Sequence, residues 1–439
     1  MPLYVQKAAD AWESLKKNKF SGWPTKKRGG ERLTPVAQPA FASDYDLSTD
    51  ESVFTIGSCF ARNIEEVLLD IGLNVVTGKY SVPAEEWEGR ANGILNKYHP
   101  FAMQNELVWA LEDGQRYPAE TGIVQVAQDQ WIDLHLPGVA KPVSHQRAIS
   151  RRQEIDALYK QVKQCRLVML TPGLIEAWWD KEANSYTNQT IPRSLATKYG
   201  DRFELHVLSY EEVYSALKSV VNLLNKHCPT DVRIFISVSP VPLAATFTMR
   251  DVLVANTYSK SVLRAAVEQL VAECDNVEYF PSYESISLSN LNEVFGDDYI
   301  HVKDTAVREN ILRFVSALKF DLSKVDATDK KNIYVNKKQQ KPLRGMVSNQ
   351  IQNGVVTGWA VRNNSNEPAR VRLLVNGKQL GVCECTEMRK ALLERSTHAT
   401  GHCGFSHKIG FALSGGDEIH VVDEESGQHL LNSPFIYQP

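Results

Sequence analysis

Behind Gly57 the apolar residues Phe60, Ile64, Val67, Leu68 and Ile71 recur at helical spacing, and just ahead of it Ser52 to Ile56 is a short β-prone run. The pattern predicts a strand, a tight turn and a helix. Further helices are predicted from about Phe101 to Glu112, Ile149 to Gln164, Tyr210 to Asn225, Ser259 to Cys274 and Thr305 to Leu318. Between them Arg166 to Thr171 and Val232 to Val238 read as buried strands, and Val277 to Phe280 as a short one. Such alternation predicts an α/β fold with a mainly parallel sheet and helices on both faces, where ligands sit beyond the carboxyl ends of the strands. Pro172 and Gly173 are expected to stop one strand and leave Glu176, Trp178 and Trp179 beyond its end.

The flanks read differently. Residues 1–50 are expected to form an irregular arm punctuated by Pro24, Pro35 and Pro39, with one helix around Ala8 to Lys17. Residues 51–320 then form the α/β domain, and 321–344, rich in Lys, Asp and Gln, a linker. Beyond it Val355 to Val361, Ala369 to Val375, Leu380 to Cys385 and Glu418 to Val422 read as strands, with Asn376-Gly377 as a hairpin turn, so 345–439 is expected to be a small all-β domain.

Composition narrows the function without naming it. Forty-nine basic and fifty-two acidic side chains leave −3, which gives no global attraction to nucleic acid or to an anionic membrane. No apolar run is long enough for an integral membrane segment, no signal-peptide core is visible, and seven scattered cysteines suit a reducing compartment, so a cytoplasmic location is expected. The basic runs Lys16, Lys17, Lys19 and Lys26, Lys27, Arg28 read first as a solvated arm, with a contact to phosphate or to an anionic glycan as the alternative. Cys383, Cys385, Cys403 and His402 have the wrong spacing for a zinc finger, so no metal site is expected.

Two adjacent nucleophile candidates, Ser58 and Cys59, sit where the first strand feeds its helix, close to backbone N–H groups able to hold an oxyanion. A helix start lowers a thiol pKa, which favours Cys59. In Asp297-Asp298-Tyr-Ile-His301 a carboxylate three residues before an imidazole can orient it and leave the other ring nitrogen free as a base. Small residues at a packed turn and a surface Asp–His pair are the plainer readings of each motif alone.

Gly57-Ser-Cys-Phe-Ala61 resembles the motif that names the GSCFA family, and Thr171-Pro-Gly-Leu-Ile-Glu-Ala-Trp178, Ser237-Val-Ser-Pro-Val-Pro-Leu-Ala-Ala-Thr246 and Ser259-Lys-Ser-Val-Leu-Arg264 resemble its other signature stretches. The resemblance implies an SGNH-hydrolase-like three-layer α/β/α domain over roughly 50–320. Laid on the SGNH blocks, Cys59 falls on the nucleophile and Asp298 and His301 on the closing Asp-x-x-His. Gly93 is the candidate oxyanion glycine of the second block, and the third would fall near Gly173, where Ile175 replaces its asparagine. Glu176 is expected to bind a sugar hydroxyl, orient a neighbour or pair with a cation. Trp178 either stacks on a sugar or packs, and Lys260 and Arg264 either bind an anion or form ion pairs on a solvated helix. Residues 345–439 are similar to β-sandwich modules appended to bacterial surface-polysaccharide enzymes.

The resulting expectation is an O-acyltransferase acting on a carbohydrate in bacterial capsule or surface-polysaccharide biosynthesis. It would bind no cofactor, use acetyl-CoA as acyl donor and take a carbohydrate acceptor, with other polysaccharide-assembly enzymes as further partners. Two alternatives stay open: a carbohydrate O-acetylesterase using Ser58 or Cys59, and a non-catalytic glycan-binding or scaffold protein.

Overall fold

Strand β1 (Ser52–Gly57) forms from a β-branched and aromatic run, and its alternate side chains point to opposite faces of a sheet. It pairs in parallel with β2 (Asn74–Val75) on one side and β3 (Leu167–Thr171) on the other; β4 (Arg233–Ile236) and β5 (Val277–Tyr279) continue the sheet in the order β5-β4-β3-β1-β2. A computed structural model describes residues 2–87, 90–320, 343–348, 350–362, 368–394, 400–424 and 429–438. The chain divides into two units, Met1–Lys331 and Asn332–Pro439; most of the linker expected over 321–344 lies outside the described residues.

Helices cover both faces of the five-stranded sheet. On one face Phe54, Ile56, Val168, Leu170, Ile234 and Ile236 pack against α2 (Pro100–Leu111), α3 (His145–Tyr159), α4 (Tyr210–His227) and α5 (Val252–Glu273). On the other, Val53, Val75, Leu167, Met169 and Phe235 pack against α1 (Cys59–Asp70) and α6 (Asp304–Ala317). The strand residues alternate between the two cores, which is the signature of a sheet sealed on both sides. The layers are therefore α/β/α, as expected.

Three features depart from the sequence reading. The second half of the segment expected to be an irregular arm packs onto the domain: Tyr45 and Leu47 are buried, and the Phe41 ring meets those of Phe235, Phe280 and Phe314. Residues 176–180 do not trail off after Gly173 but form a strand of a small antiparallel sheet with Ser185–Thr187 and Phe203–Val207. An antiparallel hairpin, Ile123–Ala127 with Gln130–Asp133, also appears where no strand was read.

In the second unit two four-stranded antiparallel sheets form. One contains Leu343–Val347, Val355–Arg362, His402–Lys408 and Glu387–Met388, the other Lys378–Glu384, Arg370–Val375, Glu418–Asp423 and Phe435–Ile436. Val347, Val356 and Phe405 of the first share one core with Val371, Leu373, Ile419 and Val421 of the second, so the sheets pack face to face. The hairpin at Asn376-Gly377 has positive φ at both residues (49° and 77°), the geometry that selects Asn-Gly.

Candidate active site

The strand order reverses direction between β1 and β3, since the chain leaves β1 toward β2 and returns to β3 on its other side. A crevice is expected at the carboxyl ends there. Four segments converge on it: Ser58 N–H donates to the Thr171 carbonyl at 3.2 Å, Lys97 N–H to that of Gly57 at 2.7 Å, Gly173 and Leu174 N–H both to that of Tyr98 at 2.9 Å, and Ser239 N–H to that of Pro172 at 2.9 Å. Gly57 is required by this closeness, because a Cβ there would lie 2.9 Å from the Thr171 carbonyl oxygen and collide with the Thr171 side chain.

The structure separates the two nucleophile candidates. Ser58 caps α1: its hydroxyl accepts from Phe60 N–H at 3.3 Å and donates to Ser239 Oγ at 2.9 Å, and the residue is buried. Its oxygen serves the helix start. Cys59, the first helical residue, is partly exposed, and its own N–H and that of Phe60 both lie against the thiol at the helix start. Sequence reasoning expected a depressed thiol pKa, and that is corrected here. Burial pushes the Cys59 thiol up, and the Phe60 N–H and the charges of Arg90 and Lys260, which pull it down, do not overcome that.

Lys260 is the residue whose importance the sequence reading missed. On α5 it is buried rather than solvated, and its Nζ donates to the carbonyls of Gly173 (2.8 Å), Ser239 (2.8 Å) and Val241 (2.7 Å). Burial pulls its pKa down to about 7, while a Cys59 thiolate would raise it. Three carbonyl acceptors match the three N–H donors of an ammonium, so this geometry favours the charged form against the desolvation. The signal was present in the sequence: Lys260 stands three residues before Leu263 and seven before Val267, on the buried stripe of its helix. Arg264 behaves as the ion-pair reading supposed, meeting Glu268 at 2.5 Å and Glu284 at 3.2 Å.

Asp298 and His301 form the pair that their spacing suggested. Tyr299 adopts φ 52° between them, a left-handed turn that costs an aromatic residue and lets Asp298 Oδ1 accept from Ile300 N–H (2.9 Å) and His301 N–H (3.0 Å). Asp298 Oδ2 meets His301 Nδ1 at 2.5 Å. Burial alone would raise this carboxyl, but the His301 side chain and the two N–H donors reverse it and hold it at about 2. The imidazole is 75% exposed, and among the described residues no hydrogen bond joins it to Cys59.

The remaining candidates take supporting positions. Gly93 N–H donates to the Arg90 carbonyl at 2.8 Å and is thereby engaged, and a Cβ at Gly93 would strike the Trp87 ring. Its turn is tied to α1 by Glu65, which accepts from Asn92 at 2.6 Å, pairs with Arg62 at 2.8 Å and receives the hydroxyls of Thr55 and Thr77, all of them buried. Gly173 lies against Ser58 and Ser239 but its N–H is spent on Tyr98. Glu176 accepts from Thr246 Oγ1 at 2.5 Å and Phe247 N–H at 3.1 Å, anchoring the loop before α5. Trp178 packs edge-on to Phe247, with ring centroids 5.3 Å apart. No cluster of three or more His, Cys, Asp or Glu side chains suited to a metal occurs among the described residues. A cavity of about 570 Å³ lies elsewhere, between α2, the 112–119 loop and α3, and includes none of the residues named from the motifs.

The motif-bearing turn, the crevice and the layered sheet agree with one family profile, which matches residues 52–314. The chain belongs to the GSCFA family. In this GSCFA protein the match runs from the start of β1 into α6 and so spans every element that builds the crevice. No curated protein and no solved structure matches the chain.

Proposed function

We propose that this GSCFA protein is an acyl-transfer enzyme that moves an acetyl group from acetyl-CoA to a carbohydrate hydroxyl, in assembly of a bacterial surface or capsular polysaccharide. The observation that supports it is the partly open Cys59 thiol on the first turn of α1, against the N–H groups of Cys59 and Phe60 and within reach of the charge of the buried Lys260. Cys59 Sγ attacks the thioester carbonyl carbon while its proton passes to His301 Nε2, with Asp298 accepting from Nδ1–H. The oxyanion takes the Cys59 N–H, and coenzyme A leaves with the proton from His301. A sugar hydroxyl then attacks the acetyl-cysteine, gives its proton to His301, and the product leaves as Cys59 regains a proton. This sequence requires His301 Nε2 to come within hydrogen-bond reach of the thiol when substrate binds.

Mass spectrometry after exposure to acetyl-CoA tests the first half-reaction. An acetyl adduct on Cys59, absent from Cys59→Ala, is expected; acetylation of other thiols alone would overturn the reading. Rapid hydrolysis of a chromogenic acetate ester, with no CoA-dependent transfer, would instead make the protein an esterase.

The exposure of His301, which makes no hydrogen bond to the thiol among the described residues, together with the raised thiol pKa, favours a second reading, a glycan-binding protein without turnover. In that case Cys59→Ala and His301→Ala each retain full glycan affinity and have no activity to lose.

A further inference from the structure

The helix Ala8–Lys17 has no buried residue at all. Ala8, Ala11, Trp12 and Leu15 stand at i, i+3, i+4 and i+7 and make one apolar face, while Asp10, Glu13, Ser14, Lys16 and Lys17 take the other. Trp12 is 65% exposed and Leu15 49%. The exposed apolar surface continues on both sides, with Tyr4 and Val5 before the helix and Phe20 and Trp23 after it. Single exposed apolar residues are ordinary on a folded surface, but a full helical face with aromatic flanks and nothing packed on it is not.

Charge says what covers this face. Residues 1–32 carry eight basic and three acidic side chains, a net of +5, in a chain whose total is −3. Lys7, Lys16, Lys17 and Lys19 surround the helix and Lys26, Lys27 and Arg28 follow within the next turn of chain. A short helix with aromatic and aliphatic residues on one side and lysines around it matches the interfacial plane of an anionic bilayer: rings and Leu15 enter the headgroup boundary, and the ammonium groups meet lipid phosphates. Tryptophan and tyrosine favour that depth because each has an apolar body and a polar tip. No helix among the described residues is long and apolar enough to cross a membrane.

We infer that residues 3–28 dock this protein peripherally on an anionic membrane surface, with the Trp12–Leu15 face inserted. The inference is independent of the chemistry at Cys59.

Co-sedimentation of the full chain with vesicles tests it. Phosphatidylcholine vesicles containing about 30 mol% phosphatidylglycerol should pull down the protein, and phosphatidylcholine alone should bind at least roughly tenfold less. Raising salt to about 0.5 M should release most of it, since attraction to the surface decays over a Debye length. Trp12→Glu with Leu15→Glu should lower binding by roughly tenfold or more, because each change puts charge into the inserted face. Neither side chain is packed in the fold, so the variant's far-UV spectrum and melting should match the parent. Equal binding by that variant, or no binding of the parent to anionic vesicles, would overturn the inference. A parent that ignores vesicles but forms a dimer abolished by the same pair of changes would assign the face to a second copy of the chain.

Discussion

The thiol side and the imidazole side of the proposed site are built in opposite ways. Cys59 stands on a helix whose next two turns carry the buried Arg62–Glu65 pair, bound to Thr55, Thr77 and Asn92, and three backbone carbonyls around it are tied down by Lys260. Buried charges of this kind are costly to leave unpaired, so each holds its neighbours in one arrangement. The Asp298–His301 pair is held by its own loop, through two N–H bonds to Asp298, a left-handed Tyr299 and the Gly296 N–H on the His301 carbonyl, and faces solvent. The comparison teaches that one half of the machinery is set among buried charges, whereas the imidazole of the other stands in solvent on a loop whose next residue, Val302, is seated in the core.

Four experiments break or sharpen that contrast. Cys59→Ala should reduce acetyl transfer by roughly a thousandfold or more, with the melting temperature nearly unchanged, because the thiol is the attacking atom and its contacts are backbone N–H groups of the helix start, which the substitution leaves in place. His301→Ala should slow transfer by about a hundredfold and leave stability within about 0.5 kcal/mol, as expected for an exposed general base. An equal loss of stability would show that the loop is part of the packed framework after all.

Third, acid should reach the fixed half first. His99 caps α2: its Nδ1 accepts from Ala102 N–H at 3.2 Å, so Nε2–H donates to the Thr187 carbonyl at 2.7 Å. Burial lowers its pKa to about 4, and that of buried His135 to about 3. Both folded values lie below the unfolded one of about 6.5, so the unfolded chain binds more protons in between. Stability is complete above about pH 6.5 and falls as the pH drops toward 4; His99 alone accounts for about 2 kcal/mol between about pH 7 and pH 5. Urea unfolding at the two pH values checks this, and His99→Asn, which keeps a capping acceptor without the titration, should flatten the dependence.

The smallest effect is expected at Lys260. Its charge lowers the Cys59 pKa, although less than burial raises it, so Lys260→Met should shift the pH midpoint of iodoacetamide alkylation upward and slow labelling about threefold at neutral pH. Far-UV spectra confirm that the variant is folded. A merely structural lysine would leave that midpoint in place.

Much of the frame was legible because burial and sequence period coincide. Phe60, Ile64, Val67 and Leu68 announce α1 since that face meets the sheet, and Asn376-Gly377 announces its turn because few other pairs accept positive φ twice. The strand at Glu176–Asp180 was missed because the Pro172-Gly173 pair reads locally as an ending, its near partner Ser185–Thr187 is only three residues long, and its longer partner Phe203–Val207 lies more than twenty residues away. Helix α5 begins seven residues before its expected start, where Asp251 caps Leu253 N–H, because Leu253 and Val254 are exposed and blur the apolar stripe. At the site, Asp298 with His301 could be read from spacing alone. The burial of Lys260 and the raised thiol could not, since both depend on chain segments brought together from four places.

The central sheet ends in strands of two and three residues, Asn74–Val75 and Val277–Tyr279. So short a margin offers a stray β-segment almost no ladder to extend, and the broad hydrophobic strands lie safely inside. Growth of the central sheet by strand addition at its margins is thereby disfavoured in the native state, and its inner strands become available to other chains only once the sheet comes apart.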